Sequence, residues 1–437
     1  MPPAEREVRD LHMILELTRD LAASYEMLPL LQRIEAAALA VLECERATVF
    51  LYDKSTHELY STVATSIKSI RFSAELGIAG EAVRSRQTIN VPDAYADKRF
   101  NAAVDKRTGF RTRNMLTFPL LGHEGEMMGV LQVLNQKGDR FTPYHERLAS
   151  ILSAQAGVVI QRQLLLEAFA RKRRLERDLD IARDIQRQLL PREDPQLPGF
   201  DVAGWNRPAD ETGGDYYDFF TLPNGFLALT VADASGHGIG PALVAAQSRA
   251  LLRASARFEK SGRKSAADFE ETAGDELTSL LARVNDLLCD DIPDERFVTA
   301  FFGVLVPGRS CLYYVSAGHG PILHYSASTH TVSELPATGV PLGMLPGASY
   351  TLGETVNLSW GDIVVVLTDG FSEWARADGE MFGMTRISKI IASHAGQPAA
   401  NLIARLHNEV TLFSGGTPQN DDLTAVVIRC IPTLALE

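Results

Sequence analysis

The side chains of this sequence that could do chemistry together are aspartates at the ends of apolar segments. A carboxylate in such a position contributes nothing to core packing unless it has a partner. Asp233, for example, directly follows the run Phe226–Ala232 and opens a glycine-rich turn. The aspartates concerned are Asp215, Asp233, Asp369 and Asp421. Each alone would usually mark only a turn, but together they predict a cluster of carboxylates.

The spacing predicts that two of these carboxylates face each other. A Pro-Asn-Gly hairpin signal is centred on Asn224, and such sequences favour tight turns between antiparallel strands. Asp215 and Asp233 each lie nine residues from Asn224, so a simple hairpin places them opposite each other within about one residue of register. Asp369 ends another apolar strand and Asp421 precedes one. Because the end of one antiparallel strand and the start of its neighbour share an edge, we expect all four sites to converge there.

Carboxylates gathered in this way predict a site for divalent cations. Two of them about 4 Å apart would repel by roughly 4 kcal/mol at an effective dielectric of 20, and bound cations would offset that repulsion. The positions offer oxygen ligands without matching His or Cys, which favours Mg²⁺ or Mn²⁺ over zinc. Two such ions sharing a carboxylate can activate water for in-line attack on a phosphoryl group. The residues therefore favour a metal-dependent phosphatase.

Composition excludes several other classes of protein. The chain has 437 residues, 45% of them hydrophobic and 22% charged, which fits two or three folded domains and not a disordered or fibrous chain. The 43 basic residues are outnumbered by 55 acidic ones, giving a net charge of −12, and this argues against nucleic acid or anionic lipid as a partner. Neither a signal peptide nor a run of about 18 apolar residues is present, so no membrane segment is predicted. The four cysteines are scattered without CxxC spacing, so neither disulfides nor a Cys-type zinc site is predicted and a cytoplasmic location is expected.

The pattern of the sequence changes near residues 160 and 192. We predict an N-terminal helical segment over 1–20, an α+β domain over 21–163, a helical linker over 164–192 and a second domain over 193–437. The last domain is dominated by strand-like runs and predicts large antiparallel sheets layered with helices. Its polar stretch 259–275, between two predicted helices, is expected to be a loop or a regulatory extension.

The linker is predicted to be one long helix. Residues 160–190 contain neither glycine nor proline, and the helix should end at Pro191. If it begins as early as about Pro143, it is long enough to connect two domains. Its apolar positions alternate in steps of four and three, forming a short seam that includes Gln186. This seam fits a two-stranded coiled coil between subunits or packing on the helix's own domain. The basic cluster Arg171–Arg174 has acidic neighbours and is expected to be a solvated face.

Residues 180–430 resemble the bacterial SpoIIE/RsbU-type serine phosphatases, a branch of the metal-dependent PP2C (PPM) phosphatases. The resemblance implies a PP2C-like sandwich of antiparallel sheets flanked by helices. Seven segments carry it in the family's order: Ala182–Pro191, Gly213–Asp218, Asp233–Gly238, Phe297–Phe302, Ala317–His319, Thr368–Gly370 and Asn420–Thr424.

The resemblance implies roles for residues that occupy the family's motif positions. Asp233 would bridge two Mn²⁺ or Mg²⁺ ions, and the carbonyl of Ala234 would help to hold the first. Asp369 and Asp421 would bind the second. Asp215 corresponds to an acidic residue that orients water at the metal site.

Some positions depart from the family's pattern. Asp422 stands where other members carry asparagine, so it ranks below Asp421 as a ligand. Many PP2C enzymes have a histidine as candidate general acid where this chain has Ser235, whose hydroxyl is far too weak an acid. His237 could substitute, or it could be a turn residue satisfied by backbone, and both interpretations stay open. His319 is expected to be a structural loop residue. No counterpart of the eukaryotic phosphate-binding arginine is recognisable, which leaves the phosphate to be held mainly by metal.

Residues 21–163 resemble a GAF sensor domain, a fold with an antiparallel sheet and helices. The matching segments are Leu76–Val83, Ile89–Ala94, Phe118–Leu120 and Gly129–Asn135. In the pattern typical of cyclic-nucleotide-binding members, His145 stands where aspartate is expected, so the GAF ligand stays unknown. Cys44 is expected to be a buried apolar residue and not a redox sensor or a haem-linked thiol.

Taken together, the chain is expected to be a signal-regulated serine/threonine phosphatase. The resemblance implies a phosphorylated STAS-domain anti-anti-sigma factor as substrate, and the sensor would act by seating Ala182–Pro191 so that the metal site is completed. One alternative is a nucleotide cyclase, because Gly213–Asp215 is similar to the GGDEF motif, although Tyr216 and Tyr217 replace Glu-Phe. Another is a module that binds without hydrolysing, against which the intact set of aspartates argues.

Overall fold

The computed structural model describes residues 26–61, 70–258, 265–293 and 295–432. The chain forms two compact units, one ending at Arg174 and the other beginning at Leu175. Both combine helices with antiparallel sheets, as the α+β prediction requires. The helical segment predicted over 1–20 lies outside the described residues.

The first unit contains an antiparallel sheet whose strands lie in the order β3-β2-β1-β6-β5-β4. The strands are β1 (Cys44–Asp53), β2 (Glu58–Ser61), β3 (Ile70–Ser73), β4 (Ile89–Val91), β5 (Met115–Leu121) and β6 (Met127–Gln136). The helices are α1 (Met27–Val41), α2 (Gly77–Ser85), α3 (Ala102–Thr108) and the first part of α4 (Pro143–Leu189). Alternation along β1 buries Val49 and Leu51 with α1 and α4 on one face, and Phe50 with α2 on the other. Both faces of this sheet are therefore covered.

Helix α4 confirms the prediction of one long helix, since it runs from Pro143 to Leu189 and ends before Pro191. Its first part packs closely on β5. A Cβ on Gly157 would collide with the backbone of Leu121. Glycine at this position therefore allows the helix to approach the sheet.

The second unit contains two five-stranded antiparallel sheets, in the orders β14-β11-β10-β9-β8 and β13-β12-β15-β16-β7. The strands are β7 (Phe200–Arg207), β8 (Asp215–Thr221), β9 (Leu227–Ala234), β10 (Val298–Val306), β11 (Cys311–Ala317), β12 (Ile322–Ser326), β13 (Thr331–Leu335), β14 (Val356–Asn357), β15 (Ile363–Leu367) and β16 (Leu423–Cys430). The helices are α5 (Ile239–Phe258), α6 (Ala266–Asp291), α7 (Gly370–Glu373), α8 (Met384–His394) and α9 (Ala399–Ser414).

Period-two alternation stacks these elements into four layers. On β9, Leu229 and Val231 join a core shared with Val364 of the second sheet. The alternate residue Ala228 packs in the cluster that contains α5 and α6. The outer face of the second sheet packs in the same way against α8 and α9. This arrangement is the predicted sandwich of antiparallel sheets flanked by helices.

The prediction of a loop over 259–275 is wrong for its described part, because α6 already begins at Ala266. Ser265 caps the helix by accepting from the Asp268 N–H, and the Asp268 carboxylate accepts in return from Ser265. This reciprocal capping box is a local signal in the sequence. Strands β13 and β14 and helices α7, α8 and α9 were not predicted.

Cys44 lies 2% exposed in the core of the first unit. Burial raises the pKa of its thiol to about 12, which agrees with the expectation of a buried apolar residue and keeps the reactive thiolate scarce at neutral pH. In the ranges that the structure describes, none of the helices has the length and apolar character needed to cross a membrane.

Candidate metal centre

The hairpin of β8 and β9 brings two of the predicted residues face to face. Asp215 pairs directly with Asp233 in the antiparallel ladder, which confirms the register expected from their spacing about Asn224. Residues two steps along each strand, Tyr217 and Val231, lie in the core between the sheets. Both aspartates therefore project toward the gap between the two sheets.

The opposite sheet meets this hairpin through two threonines. Thr368 Oγ donates to Asp215 Oδ2 at 2.8 Å, and Thr424 Oγ donates to the same oxygen at 2.7 Å. Thr368 directly precedes Asp369, and Thr424 follows Asp421 by three residues. These hydrogen bonds show that the chain segments carrying all four predicted aspartates meet at one end of the sandwich.

Several of the carboxyl groups at this end of the sandwich have pKa values above the usual value of aspartate. Burial raises the pKa of Asp215 well above its usual value, and the charges of Asp233 and Asp422 raise it further. Burial, followed by the charges of Asp369, Asp421 and Asp422, raises the pKa of Asp233 to about 7. Burial and then Asp421 raise the pKa of Asp369 to about 6. Like charges this close favour either protons or bound cations.

The oxygen atoms at this end of the sandwich are of the kind that binds hard divalent cations. Their side chains do not, however, surround a common point in this structure. In the described ranges, no three His, Cys, Asp or Glu side chains are close enough together to hold a metal ion. All the donors at this end are carboxylate or carbonyl oxygens, which are the ligands of Mg²⁺ and Mn²⁺. Burial first, and the neighbouring negative charges second, raise the pKa values of Asp215 and Asp233, and a bound cation would offset both effects.

At two positions in the sequence motifs, the backbone passes so close to a neighbouring segment that only glycine fits. A Cβ on Gly214 would lie 2.5 Å from the carbonyl oxygen of Ala234. A Cβ on Gly370 would collide with the backbone oxygen of Asp422. The glycines beside Asp215 and Asp369 thus allow the segments bearing the acidic residues to pack together.

Asp422 and Asp421 have different environments. Asp422 is 6% exposed, and its oxygens accept from the N–H groups of Ala209 at 2.7 Å and Asp215 at 3.2 Å. Asp421 is exposed, and its Oδ1 accepts from the Asp422 N–H at 2.8 Å. The carboxylate of Asp422 therefore stabilises the loop before β8, whereas the carboxylate of Asp421 stays accessible to solvent.

The end of α4 also holds that loop, a contact that the sequence did not predict. Gln186 Nε2 donates to the Gly213 carbonyl, and the Gly213 N–H donates back to Gln186 Oε1 at 3.1 Å. Arg183 Nε donates to the Glu211 carbonyl at 3.0 Å. The only signal in the sequence was a glutamine within the apolar seam of α4.

The three candidate proton-transfer positions have distinct partners. Ser235 Oγ accepts from the Phe297 N–H at 3.1 Å, and so supports the turn. His237 Nδ1 lies 2.9 Å from Asp210 Oδ2, and both side chains are exposed, so its partner is a carboxylate and not the backbone. His319 is 2% exposed. Burial lowers its pKa to about 4, which fits the structural role expected for it.

Comparison with known proteins places both domains in families. The model of the SpoIIE family (stage II sporulation protein E) matches residues 223–431, and that of the GAF domain matches residues 26–160. Protein IcfG of Synechocystis sp. is 26% identical over 265 residues, covering 57% of this chain and 41% of that protein. Phosphoserine phosphatase RsbU of Bacillus subtilis is 25% identical over 255 residues, covering 58% of this chain and 70% of RsbU.

Among solved structures, the SiaA-PP2C domain of Pseudomonas aeruginosa covers 60% of this chain and 98% of its own length, at 23% identity and a TM-score of 0.49. The chain spans less than half of IcfG and about two thirds of RsbU. The SpoIIE match includes Asp233, Asp369 and Asp421 and leaves the cyclase alternative without support. Residues 223–431 therefore form a SpoIIE-type domain of the PP2C serine phosphatases, and residues 26–160 form a GAF domain that precedes it.

Proposed function

We propose that this protein removes phosphate from phosphoserine or phosphothreonine on a partner protein, using two divalent cations, Mn²⁺ or Mg²⁺. Asp233, the Ala234 carbonyl, Asp369 and Asp421 would hold the ions. The observation that carries the proposal is the meeting of these acidic segments at one end of the sandwich, where Asp233 has a pKa of about 7.

The chain's own residues have separable roles in such a reaction. When bound, divalent cations act as Lewis acids that activate water and neutralise phosphoryl oxygens. Asp215 accepts two threonine hydrogen bonds on Oδ2, which fixes the orientation of its carboxylate. It would thus orient the attacking water through its other oxygen. Asp422 keeps the loop before Asp215 in place through two backbone hydrogen bonds.

The substrate that we propose is a phosphorylated STAS-domain anti-anti-sigma factor. The support is the SpoIIE match over residues 223–431 and the similarity to RsbU, whose name describes a phosphoserine phosphatase. The net charge of −12 disfavours nucleic acid and anionic membranes as partners. The protein would act in the cytoplasm.

Helix α4 would connect the sensor to the catalytic domain. Its last turns are bonded to the loop that leads into Asp215 through Gln186 and Arg183. Apolar side chains such as Leu165, Leu175 and Ile185 are more than half exposed along it, which favours pairing with a second copy of the helix. We propose that the GAF state and this pairing set the position of the helix end.

Hydrolysis of a generic phosphoester by the full chain tests the proposed activity. We expect turnover that needs Mn²⁺ or Mg²⁺, stops in EDTA and falls roughly 10²–10³-fold in Asp233→Asn or Asp369→Asn, the size of effect seen when one preorganised electrostatic group is lost. Asp275→Asn, an exposed position on α6, is the matched control and should behave like the unchanged protein.

Activity that survives EDTA, or both substitutions, would contradict the two-metal proposal. Metal binding without turnover on phosphoester or phosphopeptide would instead favour a module that binds without hydrolysing.

A further inference from the structure

Arg296 lies beside the turn that follows Asp233, although no sequence motif singled it out. β9 and β10 pair antiparallel as far as Ala234 and Val298. The Ser235 N–H extends the pairing by donating to the Phe297 carbonyl at 3.0 Å. Arg296 is therefore the next residue beyond this pairing, beside the turn that follows Asp233.

The guanidinium of Arg296 lies over that turn. Its Nη1 donates to the Ser235 carbonyl at 2.7 Å. A Cβ on Gly236 would lie 3.1 Å from Nη1, and a Cβ on Gly240 would lie 3.3 Å from Nη2. Glycine at both positions leaves the room that this half-buried guanidinium occupies.

In the part of the chain that the structure describes, no carboxylate forms an ion pair with Arg296. Among the described residues, its guanidinium donates one hydrogen bond, to the Ser235 carbonyl. Arginine presents five donors in a planar fork, and a partly buried cation is costly unless an anion pairs with it. The unused donors are thus suited to an anion that arrives with the substrate.

We propose that Arg296 binds the phosphoryl oxygens of the substrate, an inference that rests on the proposed function. The guanidinium fork matches the geometry of phosphate, to which it can form two parallel hydrogen bonds. The residue would hold the dianion over the turn 235–240 while the aspartates hold the cations. In this proposal Arg296 and the metal ions share the phosphate, whereas the sequence predicted that it is held mainly by metal.

The competing interpretation is that Arg296 only fixes the turn through the Ser235 carbonyl. The two roles affect different measurements. Loss of a turn contact would weaken Mn²⁺ binding and lower kcat. Loss of a phosphate contact would raise KM and weaken phosphate binding while Mn²⁺ affinity stays the same.

The test uses the full chain and compares Arg296→Met and Arg296→Lys with Arg309→Met. Arg309 lies in the short helical turn at the far end of β10 and is exposed, so its removal changes the net charge equally. The metal-free chain is titrated calorimetrically with Mn²⁺ and the Mn²⁺-loaded chain with inorganic phosphate, and KM and kcat are measured for a generic phosphoester and a phosphoserine peptide.

We expect Arg296→Met to weaken phosphate binding and raise KM for both substrates about 10-fold to 100-fold, the range for hydrogen bonds to a charged group. Arg296→Lys should lose less, because it keeps the charge without the fork. Arg309→Met should match the unchanged protein, and Mn²⁺ affinity should be the same in all of them.

Unchanged phosphate affinity and KM in Arg296→Met would overturn the inference, and so would a parallel loss of Mn²⁺ affinity. A rise in KM for the peptide alone would assign Arg296 to peptide side chains and also overturn it. If the unchanged protein shows no metal-dependent hydrolysis, the proposed function fails, while phosphate titration of the Mn²⁺-loaded protein still reports on Arg296 separately.

Discussion

The two domains bury carboxylates in different ways. In the GAF domain, the buried acids Asp105 and Glu35 accept hydrogen bonds from neutral donors. Asp105 accepts from the Thr112 N–H at 2.7 Å, from Thr112 Oγ at 2.9 Å and from the Tyr95 hydroxyl at 3.1 Å. Glu35 accepts from the Val49 N–H at 3.0 Å. Such contacts satisfy a single carboxylate and hold neighbouring segments together.

In the phosphatase domain, strand β8 carries two buried acids with different surroundings. One is neutralised by arginines, and the other faces a second acid. Asp218 is 1% exposed and forms ion pairs with Arg249 at 3.2 Å and Arg253 at 2.8 Å. Three residues earlier, Asp215 faces Asp233 across the ladder and has only hydroxyl donors on Oδ2. The fold can therefore supply arginines to a buried aspartate. Asp215 and Asp233 have no such ion pair among the described residues, and burial together with neighbouring acids raises their pKa values instead.

Among the tests of this difference between the domains, we expect the largest loss of activity when the two threonines that bind Asp215 are changed. The double variant Thr368→Val, Thr424→Val removes both hydroxyl donors from Asp215, which raises its pKa further. We expect activity to fall roughly 10-fold, equal to about 1.4 kcal/mol of barrier, and the acidic limb of the pH–rate profile to move to higher pH.

The matched control for that variant is Thr112→Val in the GAF domain, which removes one hydroxyl donor from Asp105. It should lower stability by about 1–3 kcal/mol in urea unfolding without moving the pH–rate profile. A shift of the profile in the control, or none in the double variant, would contradict the difference between the two regions.

A second, smaller effect concerns stability and pH. Burial raises the pKa of Glu35 to about 7, as burial and neighbouring acids do for Asp233. Both folded-state values exceed the unfolded ones of about 4, so the stabilisation is fully present below about pH 4 and is lost as pH rises through 7. Without metal, both domains should be less stable at about pH 8 than at about pH 5.5.

Added Mn²⁺ should restore the stability of the phosphatase domain at high pH but not that of the GAF domain. Thermal unfolding at the two pH values should show recovery of the phosphatase domain alone, by about 2–4 °C for each kcal/mol regained. Asp233→Asn should remove the metal response, and Glu35→Gln should remove only the pH dependence of the GAF domain. Equal recovery of both domains would contradict a specific effect of Mn²⁺ on the acidic cluster of the phosphatase domain.

The smallest effect is expected at the end of α4. Gln186→Ala removes both hydrogen bonds to Gly213 and should lower activity a few-fold, consistent with about 1 kcal/mol for a net hydrogen bond. Gln163→Ala, within the GAF part of the same helix, is the comparison. An identical response in the two variants would mean that the contact with Gly213 has no special role.

Much of the fold could be predicted because it rests on local patterns. The hairpin register followed from the spacing of Asp215 and Asp233 about Asn224, and α4 ends just before Pro191 as proline chemistry requires. Helices α8 and α9 were missed, although Ile387 and Ile391 lie four residues apart on the buried face of α8. The start of α6 was missed because its polar first turns outweighed the capping signal at Ser265.

The sequence by itself determined which residues could serve a metal-dependent phosphatase, because residue type and strand alternation decide what a side chain can do and which face it occupies. Only the tertiary structure decided their partners. Thr368 and Thr424 reach Asp215 from the other sheet, 153 and 209 residues away along the chain. Asp422 turns to the backbone while Asp421 stays accessible, and Arg296 lies over a turn that begins 61 residues earlier. Contacts between distant segments depend on how the sheets stack, and no local pattern in the sequence records that.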